Sequence, residues 1–289
     1  MRTWLQVMVT SMLLTGCATA APPPLATINY RPDGKLAILP VTIMGRKEWF
    51  YWDTGAPRLV LDPRLAAALN LTTRQPGSTT GVGKGAVNIA QVDPVEVGLG
   101  GIRYIADDPW IIDLSGTPGP KDVRGLVGAD LWTRYVVRMN SQAHRLELFT
   151  PGTYRPRSDE VVLPLIVEKQ KLFVEVRLDV KAGLSVVHRL RVDTGSGDSV
   201  NDPIVGQAVE TRRTQVGNGL GTPYEAVSGK VDAIHLGPFT IRNVWGPGGT
   251  GPAIGMEVLR RFVVTFDAPG GKLYLKPTRA LAEPVPAPG

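Results

Sequence analysis

Asp-Thr-Gly occurs twice in this chain, as Asp53-Thr54-Gly55 within YWDTGAPRLVLDP and as Asp193-Thr194-Gly195 within RVDTGSGDSVNDP, 140 positions apart. One such triplet needs no chemistry, because Asp caps a turn and Gly supplies the positive φ that turns use. Two copies, each behind an apolar strand and nine residues ahead of Asp-Pro, ask for a shared purpose. Two carboxylates held about 3 Å apart cannot both ionise, so they share a proton and their acid and base roles separate. One then takes a proton from water while the other gives one to a carbonyl oxygen. That pair hydrolyses an amide with no metal and no covalent intermediate.

The rest of the chain is organised to place such a pair. Asp62-Pro63 repeats as Asp202-Pro203, VDPVEVGLGGIR from Val92 repeats as VDAIHLGPFTIR from Val231, and GADLWTRYVVRMN from Gly128 repeats as GMEVLRRFVVTFD from Gly255. The block order is the same in both halves, and the first half carries about a dozen extra residues, expected as a loop within 107–123. Short runs rich in Val, Ile and Leu, with 33 Gly and 25 Pro, point to many short strands joined by turns. Each half reads as a strand pair delivering the Asp (LAILPVTIM and WFYW; LFVEVRLDV and VVHRLRV). A short helix then starts at Asp-Pro (RLAAALNL; IVGQAVET), with Asp as N-cap and Pro at the first helical position. An apolar pair ending in Gly128 or Gly255, one helical turn and two closing strands complete each half. The expected fold is mostly β, with two lobes at 28–152 and 153–280 divided in the turn-rich TPGTYRPRSDE, and a disordered tail at 281–289.

As a set these motifs resemble the aspartic proteases, both the retropepsins and the two-lobed pepsins, over most of residues 30–276. The triplets follow apolar strands ending in Phe50 and Trp52 or Leu190 and Val192, and the apolar-apolar-Gly motifs follow at Gly128 and Gly255. Gly-rich segments lie about 25 to 30 residues after each Asp: GVGKG (Gly81, Gly83, Gly85) and GNGLG (Gly217, Gly219, Gly221). The duplicated single chain looks most like the bacterial two-lobed retropepsin-like proteins. The resemblance implies two acid-protease barrel lobes related by a pseudo-twofold axis, with Asp53 and Asp193 catalytic. It also implies Thr54 and Thr194 bonded across the axis, Gly55 and Gly195 leaving room at the site, and the Gly-rich segments as flaps over a peptide or protein substrate. No cofactor or metal is implied, and a monomer is expected. Ala56 follows the first triplet and Ser196 the second, so a hydroxyl is expected to bond Asp193 alone, making it the more acidic member and moving activity toward neutral pH relative to pepsins. Pepsins carry a Tyr in the first-lobe flap; here Tyr224, beside the second, is the Tyr nearest to either, which leaves open the lobe whose flap covers the cleft. A peptide-binding protein that keeps the cleft without turnover is the alternative.

Other chemistries have less support. The net charge of +6 is not gathered into a basic run or helix face, so nucleic acid is not expected as a partner. GVGKGA lacks the Walker spacing and a following helix, and its counterpart GNGLG has no Lys, so phosphate binding is not expected. His144, His188 and His235 fall on predicted strands and form no metal cluster. Gly195-Ser196-Gly197 lacks the spacing of a nucleophile elbow. Trp49 and Trp52 suit either a substrate pocket or the core, the core being preferred. At the amino terminus, Arg2, the apolar stretch Trp4 to Leu14 and LTGC ending at Cys17 resemble a signal peptide (1–16) with a lipobox, against the alternative of a plain signal. Cys17 would be the lipidation site, 17–27 a Pro- and Ala-rich spacer. The chain is then expected in the bacterial envelope, lipid-anchored to the outer membrane and facing the periplasm.

Overall fold

The computed structural model of the chain describes residues 23–81, 83–217 and 219–285. Cys17, the signal region and residues 286–289 of the tail lie outside them.

Strand patterning follows from alternation. In Lys171–Lys181 every second residue, Leu172, Val174, Val176, Leu178 and Val180, is buried, so one face joins the core. This strand folds back on Leu184–Val192, as Leu36–Ile43 folds back on Arg46–Trp52 in the first half. Each hairpin ends at the residue before an Asp-Thr-Gly. Among the described residues the strands form three sheets: a ten-stranded one from the first half, an eight-stranded one from the second, and a six-stranded one to which both contribute three strands. The architecture is two curled β lobes.

A six-stranded sheet joins the two lobes. Its order is Ala26–Asn29, Arg145–Phe149, Val136–Asn140, Phe262–Asp267, Lys272–Pro277 and Val161–Pro164. At its centre Val137 faces Phe266 and Met139 faces Val264. Every residue of Phe262–Asp267 is buried, so its backbone groups must pair within the protein, and Val136–Asn140 of the other half supplies partners on one side while Lys272–Pro277 of its own half supplies them on the other. The duplication reaches the sheet edges: Ala26 opposite Leu148 corresponds to Val161 opposite Leu275.

Three smaller expectations change. Pro63–Ala68 is an α-helix capped by Asp62, but Pro203–Gln207 is a 3₁₀ turn although Asp202 caps it in the same way. Leu-Ala-Ala-Ala favours helix, whereas Ile204, Val205 and Gly206 do not. The extra segment of the first half is partly ordered into the sheet: Trp110–Ile111 pairs in parallel with Val60–Leu61. His144 sits in the turn after Val136–Asn140 with φ of 47°, not on a strand, and its ring lies 5.6 Å from that of Tyr30.

Candidate active site

Each Asp leaves its strand held by the apolar-apolar-Gly segment of its own half. The Asp53 N–H donates to Val127 O and that of Asp193 to Ile254 O, both at 3.0 Å. Just beyond, Ala129 N donates to Ala56 O at 3.0 Å and Met256 N to Ser196 O at 2.8 Å. A Cβ on Gly128 would fall 2.4 Å from Ala56 O, and one on Gly255 2.7 Å from Ser196 O, so only glycine permits this threading.

Thr54 and Thr194 clamp the two loops together across the pseudo-twofold axis. Each backbone N–H donates to the other's Oγ1 at 3.0 Å, and each hydroxyl donates to a carbonyl of the opposite strand, Thr54 to Val192 at 2.7 Å and Thr194 to Trp52 at 3.1 Å. Both threonines are buried, so neither loop shifts without breaking four bonds. The clamp brings the carboxylates face to face. A Cβ on Gly55 would fall 2.8 Å from both Asp193 carboxylate oxygens, and one on Gly195 2.5 Å from Asp53 Cγ. Each glycine thus supplies the space that the other lobe's Asp occupies.

The two carboxyls are not equivalent. Asp53 Oδ1 accepts from the N–H groups of Gly55 at 2.7 Å and Ala56 at 3.2 Å. Asp193 Oδ1 accepts from Gly195 N at 3.0 Å, and its Oδ2 accepts from Arg191 Nη2 at 2.7 Å. Burial at the cleft floor, then the charge of Asp193, push Asp53 up to about 7 against the lowering pull of the Gly55 N–H and Arg191. Asp53 is thus the member whose protonated form its surroundings favour.

The hydroxyl expected to single out Asp193 does not reach it. Ser196 Oγ accepts from Asp198 N at 3.2 Å and points at Asp198 Oδ2, 3.4 Å away, because the backbone turns Ser196 toward its own loop. Arg191 provides the asymmetry instead, and the sequence reading passed over it. The signal was present: in a strand, residues two apart share a face, so the residue two before Asp193 is its neighbour. The first lobe has Tyr51 at that position, its hydroxyl donating to Asp33 Oδ2 at 2.5 Å.

Above the carboxyls lies a cleft of about 910 Å³. It is roofed by hairpins from both lobes, Thr73–Thr80 with Ala86–Val92 and Glu210–Val216 with Tyr224–Leu236. Their tips pair with each other: Lys84 N donates to Thr222 O at 2.8 Å, Thr222 N to Lys84 O at 2.9 Å and Gly83 N to Leu220 O at 2.9 Å. The Lys84 ammonium lies 4.8 Å from the centre of the Tyr224 ring. The Leu220 side chain packs against the apolar cluster of Val60, Ile112 and Leu114. Gly81, Gly217 and Gly219 line the cleft, while Gly83 and Gly221 meet backbone to backbone at the tips. Gly85 turns the first hairpin at φ of 87° and is not among the lining residues. Both flaps cover the cleft. Trp52 is core and Trp49 lies beneath the Arg31 guanidinium, 4.8 Å away; neither lines the cleft. His188 pairs with Asp202 and His235 with Asp179, also outside it.

None of the curated protein sequences matches the chain. Among solved structures it is similar to basic 7S globulin from soybean, at 12% sequence identity and a TM-score of 0.49, over 88% of this chain and 95% of that one. The family model described as aspartyl protease matches residues 39–131, a stretch that holds the first Asp-Thr-Gly and Gly128.

Proposed function

We propose that this chain is an aspartic endopeptidase that activates water between Asp53 and Asp193. The observation that carries the reading is the reciprocal placement of the two carboxyls, each in the space beside the other lobe's glycine. Asp193, ionised, takes a proton from water as its oxygen attacks the peptide carbonyl carbon, and Asp53 gives its proton to the carbonyl oxygen. When the tetrahedral adduct collapses, the C–N bond breaks, the nitrogen takes the proton held on Asp193, and a diol proton returns to Asp53. An extended peptide suits a cleft roofed by two strand pairs that can bond to its main chain. The same reading places the protein in a bacterial envelope, with Cys17 acylated and residues 17–27 as the spacer to the outer membrane.

One observation favours the alternative of a peptide-binding protein without turnover. Arg191 Nη2 holds Asp193 Oδ2 at 2.7 Å, so that oxygen is already bonded before a water arrives. The two readings separate on a peptide whose scissile carbonyl is replaced by a secondary alcohol. The endopeptidase binds it at least ~10²-fold more tightly than the parent peptide, and Asp53→Asn or Asp193→Asn abolishes the advantage. Equal affinity for alcohol and parent removes the endopeptidase reading.

A further inference from the structure

The two walls of the cleft carry different chemistry at equivalent positions. Leu36 opens the first strand of one hairpin and Lys171 opens the first strand of the other. Tyr51 lies opposite Ile38 as Arg191 lies opposite Phe173, each two residues before its Asp. All four of Leu36, Tyr51, Lys171 and Arg191 line the cleft. At these two positions a leucine and a tyrosine stand against two cations; the other cations of the first-lobe wall are engaged, Lys35 by Glu257, Arg64 by Asp62 and Lys121 by Ser115 O.

Not all of those polar groups are free. The Tyr51 hydroxyl is engaged by Asp33, and Arg191 is engaged through Nη2 by Asp193, its Nε being buried without a partner. Lys171 is half-buried, and among the described residues it makes no salt bridge. The charged groups around it are Arg191 and Lys169 against Asp193 alone, a local surplus of positive charge. Burial, then the Arg191 charge, lower the pKa of its ammonium, as happens to a cation short of counter-ions. An incoming carboxylate would relieve both effects.

We infer that Lys171, backed by Arg191, forms a substrate subsite for an acidic side chain, and that the opposite wall, with Leu36, Val60, Ile112 and Leu114, takes an apolar one. This deepens the endopeptidase reading and rests on it. The substrate class is then an extended peptide with an acidic residue on one side of the scissile bond and an apolar residue on the other. An amide isostere leaves the ammonium unpaired, so the discrimination is expected to be about 10-fold or more.

The test uses the full chain and a library of octapeptides carrying Asp, Glu, Asn, Gln, Leu or Lys at each position, at about pH 6, where acidic side chains are ionised. The expected result is a kcat/KM ratio of about 10 or more for Asp or Glu over Asn or Gln at a position on one side of the cut. Lys171→Met brings that ratio to about one, Lys171→Arg keeps it, and Lys171→Glu turns the preference toward Lys. Wild type without an acidic preference, or Lys171→Met that retains it, overturns the inference. If wild type cuts no peptide, the endopeptidase reading fails on its own, and fluorescence anisotropy with the same peptides decides the subsite. Tighter binding of the acidic peptide than of its amide twin, lost in Lys171→Met, sustains it; equal binding removes it.

Discussion

Asp53 and Asp193 share a triplet and a threonine clamp, yet only Asp193 has a guanidinium at its side. Burial and the Asp193 charge, opposed by the Gly55 N–H and the Arg191 cation, set the pH behaviour of Asp53. Asp53 is raised above the usual 3.9 of an unfolded Asp, so its protonated form contributes stability that is complete below about pH 4 and lost as pH rises through about 7. The singly protonated pair that hydrolysis needs vanishes over the same upper limit, so activity is expected to fall as pH passes about 7. Replacing Arg191 by Met removes a positive charge that lowers Asp53, so the alkaline limb of the pH–rate profile should move upward. Ser196→Ala, by contrast, should leave the profile in place, because that hydroxyl serves Asp198. Stopped assays across the pH range on the three proteins check both statements. The carboxyls, threonines and glycines were legible in the sequence because they are written twice at one offset. Arg191 was not, since a single strand residue gains meaning only from the face it shares; nor was the Ser196 rotamer, since a hydroxyl next to an Asp does not say which acceptor it faces.

At the scale of elements, the flap tips meet over the cleft. Gly-rich spacing after each Asp was enough to expect two hairpin tips, but not to expect that they pair with each other, because such a contact depends on the separation of the lobes. Lys84 and Thr222 exchange both of their backbone hydrogen bonds. Residues so paired stand about 5.5 Å apart at Cα, within disulfide range. A Lys84→Cys, Thr222→Cys protein, made with Cys17→Ser, should therefore lose peptide cleavage by ~10²-fold or more when oxidised and regain it with a reducing agent. Oxidised protein that cuts at the wild-type rate would mean substrates reach the carboxyls without parting the tips. The second Asp-Pro element teaches a related lesson: its cap was legible, while the helix itself was decided by Ile204, Val205 and Gly206, which propensity should have weighed more heavily.

For the molecule as a whole, the shared sheet ties the lobes into one unit. The alternation in the closing strands was readable, but which strands pair across the duplication is a property of topology that no single half encodes. Phe266 sits at the centre, opposite Val137 and edge-on to Trp52, with ring centres 6.4 Å apart. Phe266→Ala should cost about 3–5 kcal/mol, and urea unfolding followed by tryptophan fluorescence and by far-ultraviolet circular dichroism should shift together. Two separated transitions would show lobes that fold independently. Full-length protein made in a bacterial host should sediment with membranes and Cys17→Ser should not, as fractionation and immunoblotting would reveal.

The central claim is that Asp53 and Asp193 act as one acid–base pair. Its most direct test is the cleavage of a peptide library by wild type, Asp53→Asn and Asp193→Asn, followed by mass spectrometry. The account expects cleavage by wild type and a loss of ~10³-fold or more in kcat/KM for either variant, with no further loss when both are combined. Cleavage by either single variant at close to the wild-type rate would contradict it.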